Sequence, residues 1–186
     1  MALNRNALLA RLASELPANG WVALAGLAAA ELAPRLAPGQ AVRWWPGPQA
    51  PPSPDLAVVV ARRVSDRGEL EPVAPADAGA LAKAPRLLAV LLPSDGALPA
   101  MDDAAGSLVE AGPAPDAPSA EALLAYRVLS PWAVLDVEQG RFVVRELCPG
   151  LSARELQEAV TAPLAIASDV AEMVVPVVDE SNHGMA

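Results

Sequence analysis

The strongest local pattern in the chain is a strand–turn–strand–helix unit within residues 126–173. Residues 132–137 (WAVLDV) and 142–147 (FVVREL) are rich in valine, leucine and aromatic side chains, which favour a pleated sheet. A three-residue turn that contains Gly140 separates them, so the pattern predicts an antiparallel hairpin. The Pro-Gly pair at 149–150 ends the second strand, because proline lacks an N–H and glycine adopts positive φ without strain.

A helix is predicted directly after this hairpin. Ser152 stands three residues before Glu155, the spacing at which a hydroxyl and a carboxylate each accept a backbone N–H at a helix start. Leu151 and Leu156 stand where a hydrophobic staple would form, and Pro163 marks the end of the helix. The apolar face of this helix is therefore expected to pack back on the hairpin.

The rest of the chain alternates between segments with helical character and short, continuous apolar runs. Helices are predicted over residues 4–16, 28–36, 76–84 and 119–126. Strands are predicted over residues 21–24, 41–45, 55–61 and 86–92, with a proline-rich connector at 46–54, a polar turn at 64–70 and an irregular excursion over 93–118. This alternation predicts a single layered α/β domain with a mainly parallel sheet, to which the C-terminal hairpin adds antiparallel pairing.

The domain is expected to span residues 1–178. A brief strand over 174–178 would close it, and residues 179–186 are predicted to form a disordered tail. In a chain of 186 residues, a single core can bury roughly two thirds of the surface that the unfolded chain exposes. One domain is therefore sufficient.

Composition argues against several classes of function. The net charge of −9 and the lack of a Lys/Arg cluster argue against a nucleic-acid partner, because phosphate binding requires basic side chains. The apolar runs are shorter than the roughly 18 to 20 residues that span a bilayer, and no N-terminal cleavage pattern is present, so we expect a cytoplasmic protein without a membrane partner. The single cysteine, Cys148, and the single histidine, His183, leave no internal disulfide, no Cys/His metal site and no Ser-His-Asp triad. Neither a metal ligand nor a catalytic residue is predicted.

Three segments of the C-terminal unit carry a resemblance to a known family. Residues 130–137 read SPWAVLDV, residues 146–152 read ELCPGLS, and residues 161–163 read TAP. In this order they resemble the C-terminal signature of the B (β) subunit of family I CoA-transferases, the 3-oxoacid CoA-transferase type. Upstream, residues 20–27 (GWVALAGL) and 55–70 (DLAVVVARRVSDRGEL) are also similar to that subunit. The resemblance covers most of the chain, in shortened and divergent form.

The resemblance implies a layered α/β fold, an A-like partner subunit, acyl-CoA as substrate and no covalently bound cofactor. In the family, a glutamate in an S-E-N-G turn attacks the acyl-CoA thioester. The corresponding residues 43–47 (RWWPG) keep Gly47 but have no carboxylate. The family's G-I-G run, whose small residues let backbone amides approach substrate, is replaced by residues 25–27 (AGL). The resemblance therefore implies a B-like subunit that lacks the usual nucleophile and is inactive on its own.

The candidate site consists of Trp44, Trp45 and Gly47. Paired indoles offer apolar area and an N–H donor, so these residues are candidate walls of an acyl pocket. We favour the alternative, that the two tryptophans pack against the partner subunit. Two other functions stay open on the same scaffold: a CoA-thioester hydrolase or retro-Claisen subunit, and a non-catalytic structural partner.

Other polar side chains are interpreted mainly as structural. Cys148 is expected to be a packed turn residue, because no base accompanies it. Glu146 is expected to accept hydrogen bonds from the turn that follows it. The arginines at 62–63 are candidates for a CoA phosphate or a partner's acidic patch, with a solvated strand end as the alternative. Asp95 and the aspartates at 102–103 are candidate cation ligands, with solvated loops preferred.

Overall fold

The computed structural model describes residues 2–47, 50–74, 78–93, 100–111 and 122–174. The helices in these ranges are α1 (Arg5–Glu15), α2 (Ala29–Leu32), α3 (Ala78–Leu81), α4 (Met101–Ser107) and α5 (Ala153–Ala159), and α2 continues into a 3₁₀ turn (Ala33–Arg35). The strands are β1 (Asn19–Ala25), β2 (Ala41–Trp45), β3 (Leu56–Ser65), β4 (Leu70–Pro72), β5 (Leu87–Val90), β6 (Leu108–Val109), β7 (Arg127–Leu129), β8 (Ala133–Glu138), β9 (Arg141–Leu147) and β10 (Leu164–Glu172).

One sheet organises the molecule, with the strand order β2-β1-β3-β5-β7-β8-β9-β10. Strands β2, β1, β3, β5 and β7 are parallel neighbours, whereas β8 is antiparallel to both β7 and β9. Strand β10 is parallel to β9, and the short strands β4 and β6 pair with the distal end of β3. The predicted fold class, an α/β domain with a mainly parallel sheet and C-terminal antiparallel strands, is confirmed.

The sheet separates two hydrophobic layers. Helices α1 and α2 cover one face, where their buried leucines meet inward-facing residues of β1, β3 and β5: Leu8, Leu12, Leu32, Val22, Val58 and Val90. Helices α4 and α5 cover the other face, with Ala104, Leu156, Val59, Ala89, Leu135 and Phe142. Because both faces of β3 are covered over residues 56–61, its sequence there is continuously apolar rather than alternating.

The helix start predicted at Ser152 is confirmed, and α1 also begins at a side-chain cap. Asn4 caps α1, since its side-chain oxygen accepts the Ala7 N–H at 2.9 Å. Ser152 Oγ accepts the Glu155 N–H at 3.2 Å, and a Glu155 carboxylate oxygen accepts the Ser152 N–H at 2.8 Å. These reciprocal bonds fix α5, whose Leu156 is fully buried.

The hairpin turn is tighter than predicted. Glu138 pairs with Arg141 and belongs to the ladder, so the turn comprises two residues rather than three. Gln139 and Gly140 both have positive φ, at 51° and 73°. Two consecutive positive φ values produce the backbone twist that two-residue hairpins favour.

The prediction of an irregular excursion over residues 93–118 is wrong in its described part. Residues 101–107 form α4, and β6 follows it and pairs with the distal end of β3. Asp103 accepts the Ala100 N–H at 2.9 Å and so stabilises the helix start. Ala104 and Leu108 are fully buried. A seven-residue helix that buries so few apolar residues gives too weak a periodic signal to be recognised from sequence.

The helix predicted over residues 119–126 is also wrong for residues 122–126, and residues 119–121 lie outside the described ranges. Leu124 forms an isolated bridge with Glu69, and the Ala125 N–H donates to the Gly68 carbonyl at 2.8 Å. Gly68 has φ of +83°, and an added Cβ would stand 2.5 Å from the Ala125 carbonyl oxygen. Contact with the Gly68 turn therefore holds this segment extended.

Strand β10 was not predicted. Its segment is alanine-rich and does not alternate between apolar and polar residues, so only pairing with β9 defines it. The register between the two strands is irregular between Ile166 and Ala171. The strand predicted over 174–178 and the tail lie, beyond Val174, outside the described ranges. No helix in those ranges is long and apolar enough to cross a bilayer.

Candidate functional site

The sheet has one point at which the direction of strand addition reverses. The chain passes from β1 to β2 on one side, then crosses to the other side of β1 to add β3, β5 and β7 in turn. In open α/β sheets, ligands bind at the carboxyl ends of the strands beside such a reversal. The carboxyl ends of β1, β3 and β5 are therefore the place to search for a site.

A cleft of about 350 Å³ opens at this place. Its apolar lining residues are Gly26 after β1, Val60 and Ala61 of β3, Val73, and Leu91 to Pro93 after β5. Arg5, Arg62 and Ser107 supply its polar side chains. A volume of this size lies within the range of about 300–1,000 Å³ typical of small-molecule sites.

Gly26 shapes the cleft through its backbone. Its φ is +77°, and an added Cβ would stand 3.0 Å from the Cβ of Val60. Only glycine combines that conformation with so close an approach to β3. Gly26 belongs to residues 25–27, the segment that corresponds to the G-I-G run of the family that the sequence resembles.

The two arginines of the cleft differ in their surroundings. Arg5 donates to the Glu31 carboxylate at 2.8 Å, and this hydrogen bond is the main cause of the lowered pKa of Glu31. Arg62 is exposed on β3, and within the described part of the chain it has no hydrogen-bond or ion-pair partner. Arg35, which does not line the cleft, donates from its guanidinium to the Glu31 backbone carbonyl.

The candidate residues Trp44, Trp45 and Gly47 lie at the same edge of the sheet, at the end of the outermost strand β2. The two half-buried indoles pack on opposite faces of the sheet, and Trp45 Nε1 donates to the Pro51 carbonyl at 3.0 Å. At Gly47, an added Cβ would stand 2.9 Å from the Trp44 carbonyl oxygen and 3.3 Å from the Trp21 ring. None of the three candidate residues is among those that line the cleft.

Trp21, which sequence reasoning did not single out, belongs to this aromatic edge. The Arg43 guanidinium lies 5.0 Å from the centre of the Trp21 ring, and the two residues are register partners on β1 and β2. The signal in the sequence is that three of the four tryptophans fall within or at the ends of two successive predicted strands.

Arg63 is not among the residues that line the cleft. Its Nε donates to the Gly106 carbonyl at 3.2 Å, and it lines a second depression of about 340 Å³ with three glutamates, Glu69, Glu71 and Glu110. The adjacent arginines of the sequence thus face different surroundings. Of the two, only Arg62 lines the cleft at the strand ends.

Glu146 does not bond to the turn that follows it, as was expected, but pairs with Arg11 of α1. The two Glu146 oxygens accept from Arg11 Nε at 3.1 Å and from a terminal nitrogen at 2.5 Å. Burial lowers the pKa of Arg11, but its bonds to Glu146 and Glu15 outweigh that effect and raise it. This partly buried pair joins α1 to the hairpin.

The ion pairs continue from Glu15 across the sheet. Arg127 bridges Glu15 and Asp136 at 3.0 and 2.7 Å, and Arg145 bridges Asp136 and Glu138, each at 2.7 Å. Burial raises the pKa of Asp136, but hydrogen bonds from Arg127 and Arg145 outweigh it and lower the pKa. These groups are structural, because each charge faces a partner of opposite sign.

The remaining candidates are structural as well. Cys148 is buried, its N–H donates to the Trp132 carbonyl at 2.8 Å, and burial raises the pKa of its thiol. A raised thiol pKa disfavours the reactive thiolate. Asp103 caps α4, and Asp95 lies outside the described ranges. The described residues contain no cluster of three potential metal ligands.

Together these observations define an open α/β domain with a cleft at its strand reversal. No family model and no curated protein sequence matches the chain. Solved structures do match: the decarboxylase AibA/AibB aligns with a TM-score of 0.62 at 12% identity, over 95% of this chain and 90% of its own. Glutaconate coenzyme A-transferase from Acidaminococcus fermentans aligns with a TM-score of 0.53 at 11% identity, over 94% of this chain and 90% of the transferase chain.

A longer enzyme contains the same fold. The acyl-CoA transferase YdiF from Escherichia coli aligns with a TM-score of 0.61 at 13% identity, over 94% of this chain and 44% of the YdiF chain. This chain therefore spans less than half of YdiF. A further YdiF structure, a thioester complex with CoA, aligns with a TM-score of 0.58. These likenesses show that the chain has the fold found in CoA-transferases and in one decarboxylase.

Proposed function

We propose that this chain is a B-like subunit of a heteromeric CoA-transferase-type complex that acts on acyl-CoA. The observation that carries the proposal is the fold, which aligns over 94–95% of the chain with two CoA-transferases and a decarboxylase. The ordered motif similarity over residues 130–163 supports the B-type assignment, and the cleft at the strand reversal supplies a place for substrate.

In this proposal the chain lacks the nucleophile of the exchange reaction. Transfer through an enzyme carboxylate begins with attack on the thioester carbonyl, which forms an acid anhydride and releases CoA as a thiolate. The thiolate then attacks the anhydride, which leaves CoA as a glutamyl thioester and frees the first acid. The indoles, proline and glycine of residues 44–47 cannot perform that attack. The partner then supplies the carboxylate, or the complex performs a different reaction.

The same proposal assigns the aromatic edge, defined as Trp21, Arg43, Trp44, Trp45 and Gly47, to contact with an A-like partner. Tryptophan and arginine are enriched among the residues that dominate interface energies. Strand β2 ends the sheet, so its outer backbone groups have no neighbouring strand among the described residues. More than half of the YdiF chain lies outside the match, which supports the proposal that this chain acts together with a second subunit.

Hydrolytic or retro-Claisen cleavage of a CoA thioester is the second candidate. It is favoured by the missing carboxylate and by the decarboxylase among the structural neighbours, whose name shows that the fold is not restricted to CoA transfer. Release of free CoA from acyl-CoA without an acyl acceptor would identify this reaction. Transfer that depends strictly on an acceptor acid would identify the first candidate. A non-catalytic structural subunit would show neither.

The test is co-expression with an A-like CoA-transferase subunit, followed by borohydride treatment in the presence of acyl-CoA. Borohydride reduces an enzyme-bound glutamyl thioester to an alcohol, which inactivates the enzyme and changes the mass of the chain that bears the nucleophile. We expect this mass change to be found in the partner. A reduced residue within this chain would contradict the assignment, and failure of the two chains to co-purify would contradict the partnership.

A further inference from the structure

The two ends of the sheet differ in how they are protected against further strand pairing. At one end, β10 departs from regular register between Ile166 and Ala171, and it exposes the charged side chains of Asp169 and Glu172. Irregular register and exposed charges are devices that prevent a sheet from adding another strand. At the other end, β2 pairs with β1 in regular register over all five of its residues. Among the described strands, β2 therefore ends the sheet without the protection that β10 has.

Backbone groups along β2 point alternately toward β1 and away from it. The Ala41 N–H donates to the Ala18 carbonyl at 2.7 Å, on the side of β1. Because successive residues of a strand direct their N–H groups to opposite sides, the odd-numbered residues of β2 face β1, and Val42 and Trp44 face outward. Within the described ranges, the N–H groups of Val42 and Trp44 have no hydrogen-bond partner. They form a row to which an extended chain can bond.

The side chains of β2 define what an added strand has to carry. Trp44 packs on the face of the sheet that α1 and α2 cover, and Arg43 is exposed on the opposite face. The Arg43 guanidinium lies over the Trp21 ring of β1, 5.0 Å from its centre, and it has no carboxylate partner in the described part of the chain. Opposite charges on neighbouring strands stabilise a sheet, and like charges destabilise it. The edge therefore favours a strand with a carboxylate beside Arg43 and an apolar side chain beside Trp44.

We propose that the partner subunit adds an extended strand to the outer edge of β2, so that one sheet continues from this chain into its partner. The added strand accepts hydrogen bonds from the N–H groups of Val42 and Trp44, and it presents an acidic residue to Arg43. The inference rests on the proposed function, because it assumes an A-like partner at the aromatic edge. It goes further by naming backbone pairing as the mode of association and by defining the chemistry of the segment that the partner contributes.

Amide hydrogen exchange, measured residue by residue on the full chain, tests the mode of pairing. In the complex with an A-like CoA-transferase subunit, the Val42 and Trp44 amides are expected to exchange at least about tenfold more slowly than in the free chain, because they become hydrogen-bonded. The amides of Arg43 and Trp45, already directed at β1, should change much less. Equal slowing of all four amides would overturn strand addition, because a partner that only covers the surface does not distinguish alternate residues.

A proline at the edge removes one outward N–H and no bond to β1. Proline is tolerated on edge strands where the N–H faces solvent, so Val42→Pro is expected to fold. It should weaken association with the A-like subunit at least about tenfold in a titration of the purified chains. Val42→Ala is the matched control, because it shortens the same side chain and keeps the N–H, and it should associate within about twofold of wild type. Equal losses in the two variants would overturn the inference. If Val42→Pro does not fold, the exchange pattern of wild type decides.

Charge reversal tests the acidic residue of the added strand. Arg43→Glu is expected to weaken association at least about tenfold, because two carboxylates would then face each other across the new strand pair. Arg141→Glu makes the same change at an exposed position of β9, near the opposite end of the sheet, and should associate as wild type does. Equal losses in these two variants would indicate diffuse charge attraction and would contradict the pairing at Arg43.

Three outcomes separate the inference from the proposed function. Failure of wild type to associate with the A-like subunit would contradict both. Association that Val42→Pro leaves unchanged would overturn strand addition alone and leave the proposed function standing. Self-association of the free chain that Val42→Pro abolishes would assign the edge to a second copy of this chain and overturn the choice of partner.

Discussion

Gly26 lines the cleft and has a backbone conformation that favours glycine. Its φ of +77° disfavours any side chain, and the 3.0 Å approach to Val60 adds a steric clash. Gly106, inside α4, has no atom within 4 Å of an added Cβ and no positive φ. The two glycines therefore provide opposite responses to the same substitution.

Gly26→Ala is expected to destabilise the protein by about 1–3 kcal/mol, because alanine is strained at positive φ. Gly106→Ala is expected to stabilise it by about 0.5–1 kcal/mol, because alanine loses less backbone entropy in a helix. Urea unfolding of both variants gives the two free energies. Equal effects of the two substitutions would contradict the role assigned to Gly26.

Some of the residues discussed above could be located from the sequence, and others could not. Gly47 and Gly26 were located from motif similarity, and Ser152 and Glu155 from spacing alone. Arg62 was recognised as a candidate, but its separation from Arg63 follows only from the orientation of β3. Val60, Val73 and Leu91 meet at the cleft because parallel pairing joins distant segments, which composition and spacing do not reveal.

At the scale of elements, α1 is held to the hairpin by charge as well as by leucines. Arg11 pairs with Glu15 and Glu146 where its own side chain is only 9% exposed. Arg154 and Glu158 form an ordinary surface pair on α5, with side chains 87% and 62% exposed. The two arginines allow a buried and a solvated ion pair to be compared in one protein.

Arg11→Met is expected to cost about 3–5 kcal/mol, since two carboxylates would remain partly buried without their counter-charge. Arg154→Gln is expected to change stability by less than about 0.5 kcal/mol. Thermal and urea unfolding measure both. A small loss for Arg11→Met would show that the pair does not fasten α1.

The lowered pKa of Asp136 predicts how the stability of the protein depends on pH. In the folded state this pKa lies below the ordinary value of 3.8, so at pH values near and below 3.8 the unfolded chain binds more protons than the folded one. The contribution of Asp136 is therefore complete above the ordinary carboxyl pKa and is lost as pH falls through the lowered one. Asp136→Asn is expected to reduce the free energy of unfolding at pH 7. It is also expected to make that free energy decrease less steeply below about pH 4. Asp169→Asn, on exposed β10, serves as the control in the same pH series.

Elements with strong local signals were predicted well. Helices α1 and α5 have side-chain caps, and β8 and β9 have apolar side chains around a turn. Helix α4 and strand β10 were missed because α4 buries few apolar residues and β10 is half exposed and alanine-rich. Their conformations depend on contacts with β3, α5 and β9, which local sequence does not encode.

At the scale of the whole molecule, the sheet order places the cleft and the aromatic edge on the same side. The cleft lies between the ends of β1, β3 and β5, and the aromatic edge extends from β1 to β2. A partner seated on the aromatic edge would therefore lie beside the cleft. This arrangement suits a complex in which one chain provides pocket walls and the other provides the nucleophile.

Trp44→Ser is expected to weaken co-purification with the proposed A-like partner, because the interface would lose a large apolar contact. Trp132→Phe, a change in the buried core away from that edge, should leave association intact. Quantitative pull-down of the co-expressed chains measures both. Unimpaired association of Trp44→Ser would place the partner elsewhere.

Binding of CoA esters is the central proposal, and thermal unfolding of this chain together with the proposed A-like subunit tests it most directly. An acyl-CoA at about 100 times its Kd should stabilise the folded state by about 2.7 kcal/mol. For a chain of this size, that corresponds to a rise in melting temperature of about 5–10 °C. An unchanged melting temperature with acyl-CoA and with free CoA would contradict the proposal.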